Sequence, residues 1–125
     1  FVIRRSEAML ARLSEKSERL ADPQSDREQQ PSYAKNETRS IRPDVAILVG
    51  LCTHLSCSPK FRPAITPQSF DPEWVGGFYC PCHGSKFDLA GRVYQGVPAP
   101  SNLEVPPHYY ETDDVVVIGE DEGVA

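Results

Sequence analysis

A mainly β domain with one helix near its N-terminal end is the fold the sequence predicts, on three observations. Helical periodicity occurs once, over residues 6–21, where Met9, Leu10, Leu13 and Leu20 share a face. Two β-branched runs, 45–49 and 115–118, have the length and composition of strands. Nine of the 12 prolines fall between Pro59 and Pro107, which breaks that half into loops and short strands.

In chain order, residues 1–4 read as a strand, and their opening without Met suggests a processed product or fragment with more chain upstream. Ser6 is placed to cap the helix, and Asp22-Pro23 stops it. Residues 23–40 are polar without an apolar period, a connector. The strand 45–49 feeds the pair Cys52 and His54. Residues 58–79 carry Pro59, Pro63, Pro67 and Pro72 and read as an irregular excursion. Residues 77–79 return as a short strand, 86–88 leave as another, and 89–91 turn back into 92–94. Residues 96–100 form a stiff loop, and 108–111 with 115–118 form a hairpin around 112–114. The acidic residues 120–122 are expected to fray, with His108 in packing or at the surface and Trp74, Tyr109 and Tyr110 in packing.

A chain of 125 residues is one domain. No apolar run approaches the roughly 18–20 residues that cross a bilayer. The net charge of −5 divides unevenly, with an excess of basic residues up to 42 and of acidic residues after it. The acidic part is either a solvated surface or a face that steers a basic partner. A basic stripe interleaved with aromatics is missing, which argues against nucleic acid.

All four cysteines and two of the three histidines fall in two short runs, Cys52-Thr53-His54-Leu55-Ser56-Cys57 and Cys80-Pro81-Cys82-His83-Gly84-Ser85. A Cys2His2 set suggests structural zinc. Zinc sites, however, normally pair like with like, whereas each arm here mixes one thiolate with one imidazole. Mixed arms suit two metals, with both thiolates on one iron and both imidazoles on the other, which is the Rieske form of a 2Fe–2S cluster. Cys57 and Cys82 are not needed as ligands, and loops drawn together by such a cluster would bring them close enough to pair. A disulfide there implies an oxidising compartment.

The two runs resemble the iron–sulfur subunit family of ubiquinol–cytochrome c reductase. So do Gly76-Gly77-Phe78-Tyr79, the run from Phe87 to Val93 and the run from Pro98 to Leu103, in a version like those of bacteria. The resemblance implies the Rieske fold, antiparallel sheets with a smaller cluster-binding subdomain at about residues 50–100. It implies one 2Fe–2S cluster, with Cys52 and Cys80 on the inner iron and His54 and His83 on the outer one. It also implies a Cys57–Cys82 disulfide, a Ser85 hydroxyl donating to a cluster sulfide, and a covering loop at Gly96, Pro98 and Pro100. Leu55 matches an apolar contact at a quinol pocket.

The implied activity is electron transfer from quinol, bound in a cytochrome b subunit, to a c-type cytochrome haem. The implied location is the periplasmic face of a bacterial inner membrane, with an N-terminal anchor upstream. Two thiolates, two sulfides and two ferric ions sum to zero charge, so such centres accept an electron at roughly −150 to +300 mV against about −400 mV for the all-Cys type. A histidine bound to ferric iron has a more acidic far N–H, which is lost near neutral pH and regained on reduction. His83 is therefore expected to meet the quinol and accept its proton with the electron, with His54 its less engaged twin. A Rieske subunit of another respiratory or molybdenum oxidoreductase is the alternative, and a Rieske ferredoxin, which lacks the extra cysteines, a further one.

Two departures stand out. The family commonly has Tyr, donating to a cysteine ligand, where this chain has Phe87. Losing a hydrogen bond of about 1–1.5 kcal/mol is expected to lower a one-electron potential by roughly 40–60 mV. Ser56 replaces a common Gly, which costs about 1 kcal/mol if φ is positive there and nothing otherwise.

Overall fold

The computed structural model describes residues 1–14, 17–55 and 57–120; Ser56 and residues 121–122 lie outside them. Three small antiparallel sheets carry the chain. Strand β1 (Val2–Arg4) pairs with β2 (Val45–Ile47), and β3 (Lys60–Arg62), β4 (Gly77–Tyr79) and β5 (Lys86–Phe87) follow one another in a second sheet. Strands β6 (His108–Thr112) and β7 (Val115–Ile118) form the hairpin.

Register explains the core. Phe61 faces Phe78 and Phe78 faces Phe87 across the second sheet, and Phe78 and Phe87 are fully buried. They join Ile3, Ala46, Leu48, Leu103 and Val105 in one apolar cluster that also contains Cys52 and Cys80. Gly77 permits this sheet: its φ of +148° is one that side chains rarely adopt, and a Cβ there would collide with the Phe87 carbonyl oxygen.

The helix is shorter than its apolar stripe predicts. The α-helix α1 spans Glu7–Ala11, capped by the Ser6 hydroxyl, which accepts from the Met9 N–H. Two 3₁₀ turns, Arg12–Ser14 and Ser17–Arg19, replace the rest; residues 15 and 16 lie outside the described ones. Tertiary demands override the period. The Arg92 guanidinium takes the Leu13 carbonyl, which a continuing helix would need for itself. Leu13 packs on Leu89 and Ala90, whereas Leu20 goes to a separate cluster with Trp74 and Tyr94, and Leu20 bridges Tyr94 as extended chain. The excursion between the two motifs also departs from expectation, because Lys60–Arg62 pairs as an edge strand.

Three buried arginines hold the turn after β5. The Asp88 carboxylate accepts from the Ala90 and Arg92 N–H groups and, at 2.7 Å, from Arg92 Nε. Arg5 donates to the Leu89 carbonyl and Arg39 to the Ala90 carbonyl, each at 3.0 Å. Burial, opposed by Asp88, pulls both of those guanidiniums down to about 10, so they stay charged at neutral pH. His108 is buried, edge-on to Tyr33 with ring centroids 5.6 Å apart. Among the described residues no helix is long and apolar enough to cross a membrane.

Candidate iron–sulfur site

The second cysteine–histidine run is a hairpin tip. Strands β4 and β5 run straight into it, and the Cys80 N–H donates to the Ser85 carbonyl at 2.8 Å to close its neck. The Gly84 N–H then returns to the Cys80 carbonyl at 2.9 Å, through a left-handed φ of +84° that explains the glycine. This folding buries Cys80 and Ser85 and leaves Pro81, Cys82 and His83 exposed.

The first run is a loop hung from the end of β2. The Val49 N–H donates to the Glu104 carbonyl, and the Cys52 N–H closes the loop on the Cys57 carbonyl at 2.6 Å. Cys52 is buried, His54 half-buried and Leu55 62% exposed. A third segment joins both runs. The Thr53 hydroxyl donates to the Ser101 carbonyl at 2.7 Å, and the Ala99 N–H donates to Ser85 Oγ at 3.0 Å. Gly96 turns that segment at φ +74°, Pro98 and Pro100 face solvent, and Ala99 between them is buried.

The candidate ligands meet in two pairs. The His54 and His83 rings lie 4.8 Å apart, edge to face. Cys52 and Cys80 are free, buried and neighbours of one another. Burial pushes the Cys80 thiol up, the adjacent Cys52 thiol adds to this, and the N–H groups of Cys82 and His83 act against it. Cys57 and Cys82 are joined by a disulfide with Cα atoms 6.6 Å apart. Their sulfurs and that of Cys80 all lie within 4.8 Å of one another. Sulfurs bonded to each other have no thiolate to offer a metal, so the available sulfur donors are Cys52 and Cys80.

The fit to an iron–sulfur centre can be tested on one atom. His54 Nδ1 is shut away from solvent with no hydrogen-bond partner among the described residues. A buried imidazole nitrogen is normally paired. Here an unpaired one belongs to a ring packed on a second imidazole, and the two loops that carry these rings also carry two free buried thiols, the donor types such a centre requires.

Phe87, fully buried, belongs to the apolar cluster that holds both thiols and brings no polar atom to it. Sequence reasoning missed three participants: Thr53, the Ala99 N–H and Leu51, which is 49% exposed just before Cys52. Thr53 bonds a distant backbone carbonyl and Ala99 acts through its own N–H, and neither contact leaves a signature in the linear sequence.

A charged group abuts the second loop. Asp71 Oδ2 accepts from Arg19 Nη2 at 2.7 Å and from Lys86 Nζ at 3.3 Å, and Oδ1 from the Glu73 N–H at 2.9 Å. Burial alone would raise the Asp71 carboxyl, but these donors hold it below the ordinary carboxylate value.

Comparison with known proteins places this geometry. A ubiquinol-cytochrome c reductase iron-sulfur subunit of Allochromatium vinosum is 53% identical over 125 residues, all of this chain and 60% of the relative. The mitochondrial Rieske subunits of the cytochrome b-c1 complex from Gallus gallus and Bos taurus are 45% and 43% identical, over 81% and 80% of this chain. The chain thus spans 60% of the bacterial relative and about 30% of the mitochondrial ones. Matched over residues 30–107 by the family model, the chain belongs to the Rieske [2Fe-2S] domain family.

Proposed function

We propose that this chain is the electron-transfer head of a quinol–cytochrome c oxidoreductase. In this reading Cys52 and Cys80 hold one iron, and His54 and His83 hold the other. The observation that carries it is the asymmetry of burial among the four: two buried thiols, and two imidazoles of which one is half-buried and one exposed. A bound 2Fe–2S cluster supplies a one-electron centre that its two imidazole ligands make electron-poor.

The chain's own residues do the rest. His83, on the exposed hairpin tip, presents its outward ring nitrogen to the hydroxyl of a quinol and takes up that proton. His54, less exposed, is the secondary partner. Leu55 offers an apolar surface beside them, matched to a pocket in a cytochrome b subunit. The 96–100 loop, held through Ala99, excludes water from the thiol side. The electron leaves to a c-type cytochrome.

The Cys57–Cys82 disulfide supports an oxidising location, the periplasmic face of a bacterial inner membrane, and argues against a cytosolic ferredoxin. An EPR-monitored redox titration across pH tests the proposal. The expected result is a reduced-state signal whose mean g lies below the free-electron value and a potential that falls as pH rises. No such signal removes the cluster; a potential flat into alkaline pH removes the proton-accepting role of His83.

A further inference from the structure

Asp71 is 2% exposed and stands on the excursion between the two ligand loops, yet its strongest partners come from elsewhere. Arg19 reaches it from the N-terminal turns and Lys86 from β5. Lys86 faces Tyr79 in the β4–β5 ladder, one rung beyond the Cys80–Ser85 bond that closes the second loop. Side chains alternate along a strand. Phe87 therefore turns to the core that holds Cys52 and Cys80, while Lys86 turns to the excursion. Both cations also lie against one ring, Arg19 at 4.9 Å and Lys86 at 5.2 Å from the Tyr94 centroid. The Tyr94 hydroxyl is buried with no hydrogen-bond partner among the described residues, and its ring offers the cations a quadrupole but no net charge. Among the described residues, Asp71 is thus the carboxylate that ion-pairs with both.

We propose that Asp71, as the shared counter-ion of Lys86 and Arg19, is a positioning residue that sets the reduction potential of the iron–sulfur centre. This rests on the function proposed above. Adding an electron to a centre is favoured by nearby positive charge and opposed by negative charge. Charges in a partly buried group are screened far less than the roughly 8–10 Å Debye length of surface charges implies. Asp71 enters twice: it subtracts one charge from the group, and its oxygen fixes the Lys86 ammonium at the neck of the loop, a contact whose acceptor oxygen Asp71→Asn keeps while losing the charge. A contact that served only as a staple between excursion and strand would behave differently. Breaking it from either side would loosen the same loop and shift the potential in one direction.

Opposed signs therefore decide the matter. In redox titrations of the cluster-loaded chain, Asp71→Asn is expected to raise the midpoint and Lys86→Met to lower it. Each shift should be at least threefold in the electron-exchange equilibrium with a fixed mediator, about 28 mV. Lys86→Arg keeps the wild-type value, and Asp71→Asn with Lys86→Met returns toward it. Glu111→Gln, on the exposed hairpin, leaves the midpoint in place. Shifts of the same sign in the two single variants, or none beyond that control, overturn the proposal. If Asp71→Asn does not fold, Lys86→Gln decides it: the amide can still donate to Asp71 but carries no charge, so the midpoint must fall as in Lys86→Met, and a wild-type midpoint overturns the proposal. A wild-type chain without the reduced-state signal overturns the cluster reading instead, so the two failures are distinct.

Discussion

Replacing Ser85 with Ala removes one oxygen with two separable duties. Ser85 is fully buried, and its Oγ is the acceptor for the Ala99 N–H, itself in a residue only 5% exposed. Ala leaves that N–H buried without a partner, a loss of about 1–3 kcal/mol. For a domain of this size that corresponds to an unfolding midpoint lower by roughly 4–12 °C. Because the hydroxyl accepts from Ala99, its own proton is left without a protein acceptor among the described residues and is available to the cluster. Losing that donor, at about 1–1.5 kcal/mol, lowers a one-electron potential by roughly 40–60 mV. Thermal unfolding followed by circular dichroism reads the first effect, and an EPR-monitored titration the second. A variant with the wild-type unfolding midpoint refutes the anchoring of the covering loop. One that loses stability but keeps its potential refutes the donation to the cluster.

Phe87→Tyr restores the hydroxyl that the family carries and is expected to raise the potential by roughly 40–60 mV; an unchanged or lower midpoint shows that no cysteine sulfur receives it. Removing the disulfide by Cys57→Ala with Cys82→Ala reopens a loop of sequence separation 25, which the chain-entropy relation puts at about 3.5 kcal/mol. Differential scanning calorimetry should show a clear drop in midpoint, and none would mean that the cluster alone holds the loops together. The depressed Asp71 carboxyl adds stability that is full above its ordinary value of 3.8 and is lost as pH falls through its lower folded value. Asp71→Asn should therefore flatten the acid limb of unfolding midpoint against pH, and an acid limb identical to wild type would contradict the ion group.

The cysteine–histidine clustering was legible because it is a local pattern. Cys52 and His54 lie two positions apart and Cys80 and His83 three, so each pair shows in the linear sequence, and the fold brings the two imidazoles within 4.8 Å. The strand leading to Cys80 and the C-terminal hairpin were legible too, since each carries its own alternation or turn. What escaped was set by distant partners. Met9, Leu10, Leu13 and Leu20 keep a helical period, but the period does not say that Arg92 will claim the Leu13 carbonyl. Lys60–Arg62 has one apolar residue between two prolines and shows itself a strand only beside Phe78. The burial of Arg5 and Arg39 has no mark in the sequence, because arginine is rarely buried unless distant carbonyls converge on it, as those of Leu89 and Ala90 do.

The pairwise ties among the three segments at the tip have a mechanical meaning. Loop one is joined to loop two by Cys57–Cys82, to the covering segment by Thr53–Ser101, and loop two to that segment by Ser85–Ala99. Three bodies linked in a closed triangle have no soft hinge, whereas two links would leave one. Electron exchange is hindered by whatever must rearrange when charge arrives, and a braced, preorganised surrounding rearranges little. The tip is therefore built to change its charge without changing its shape.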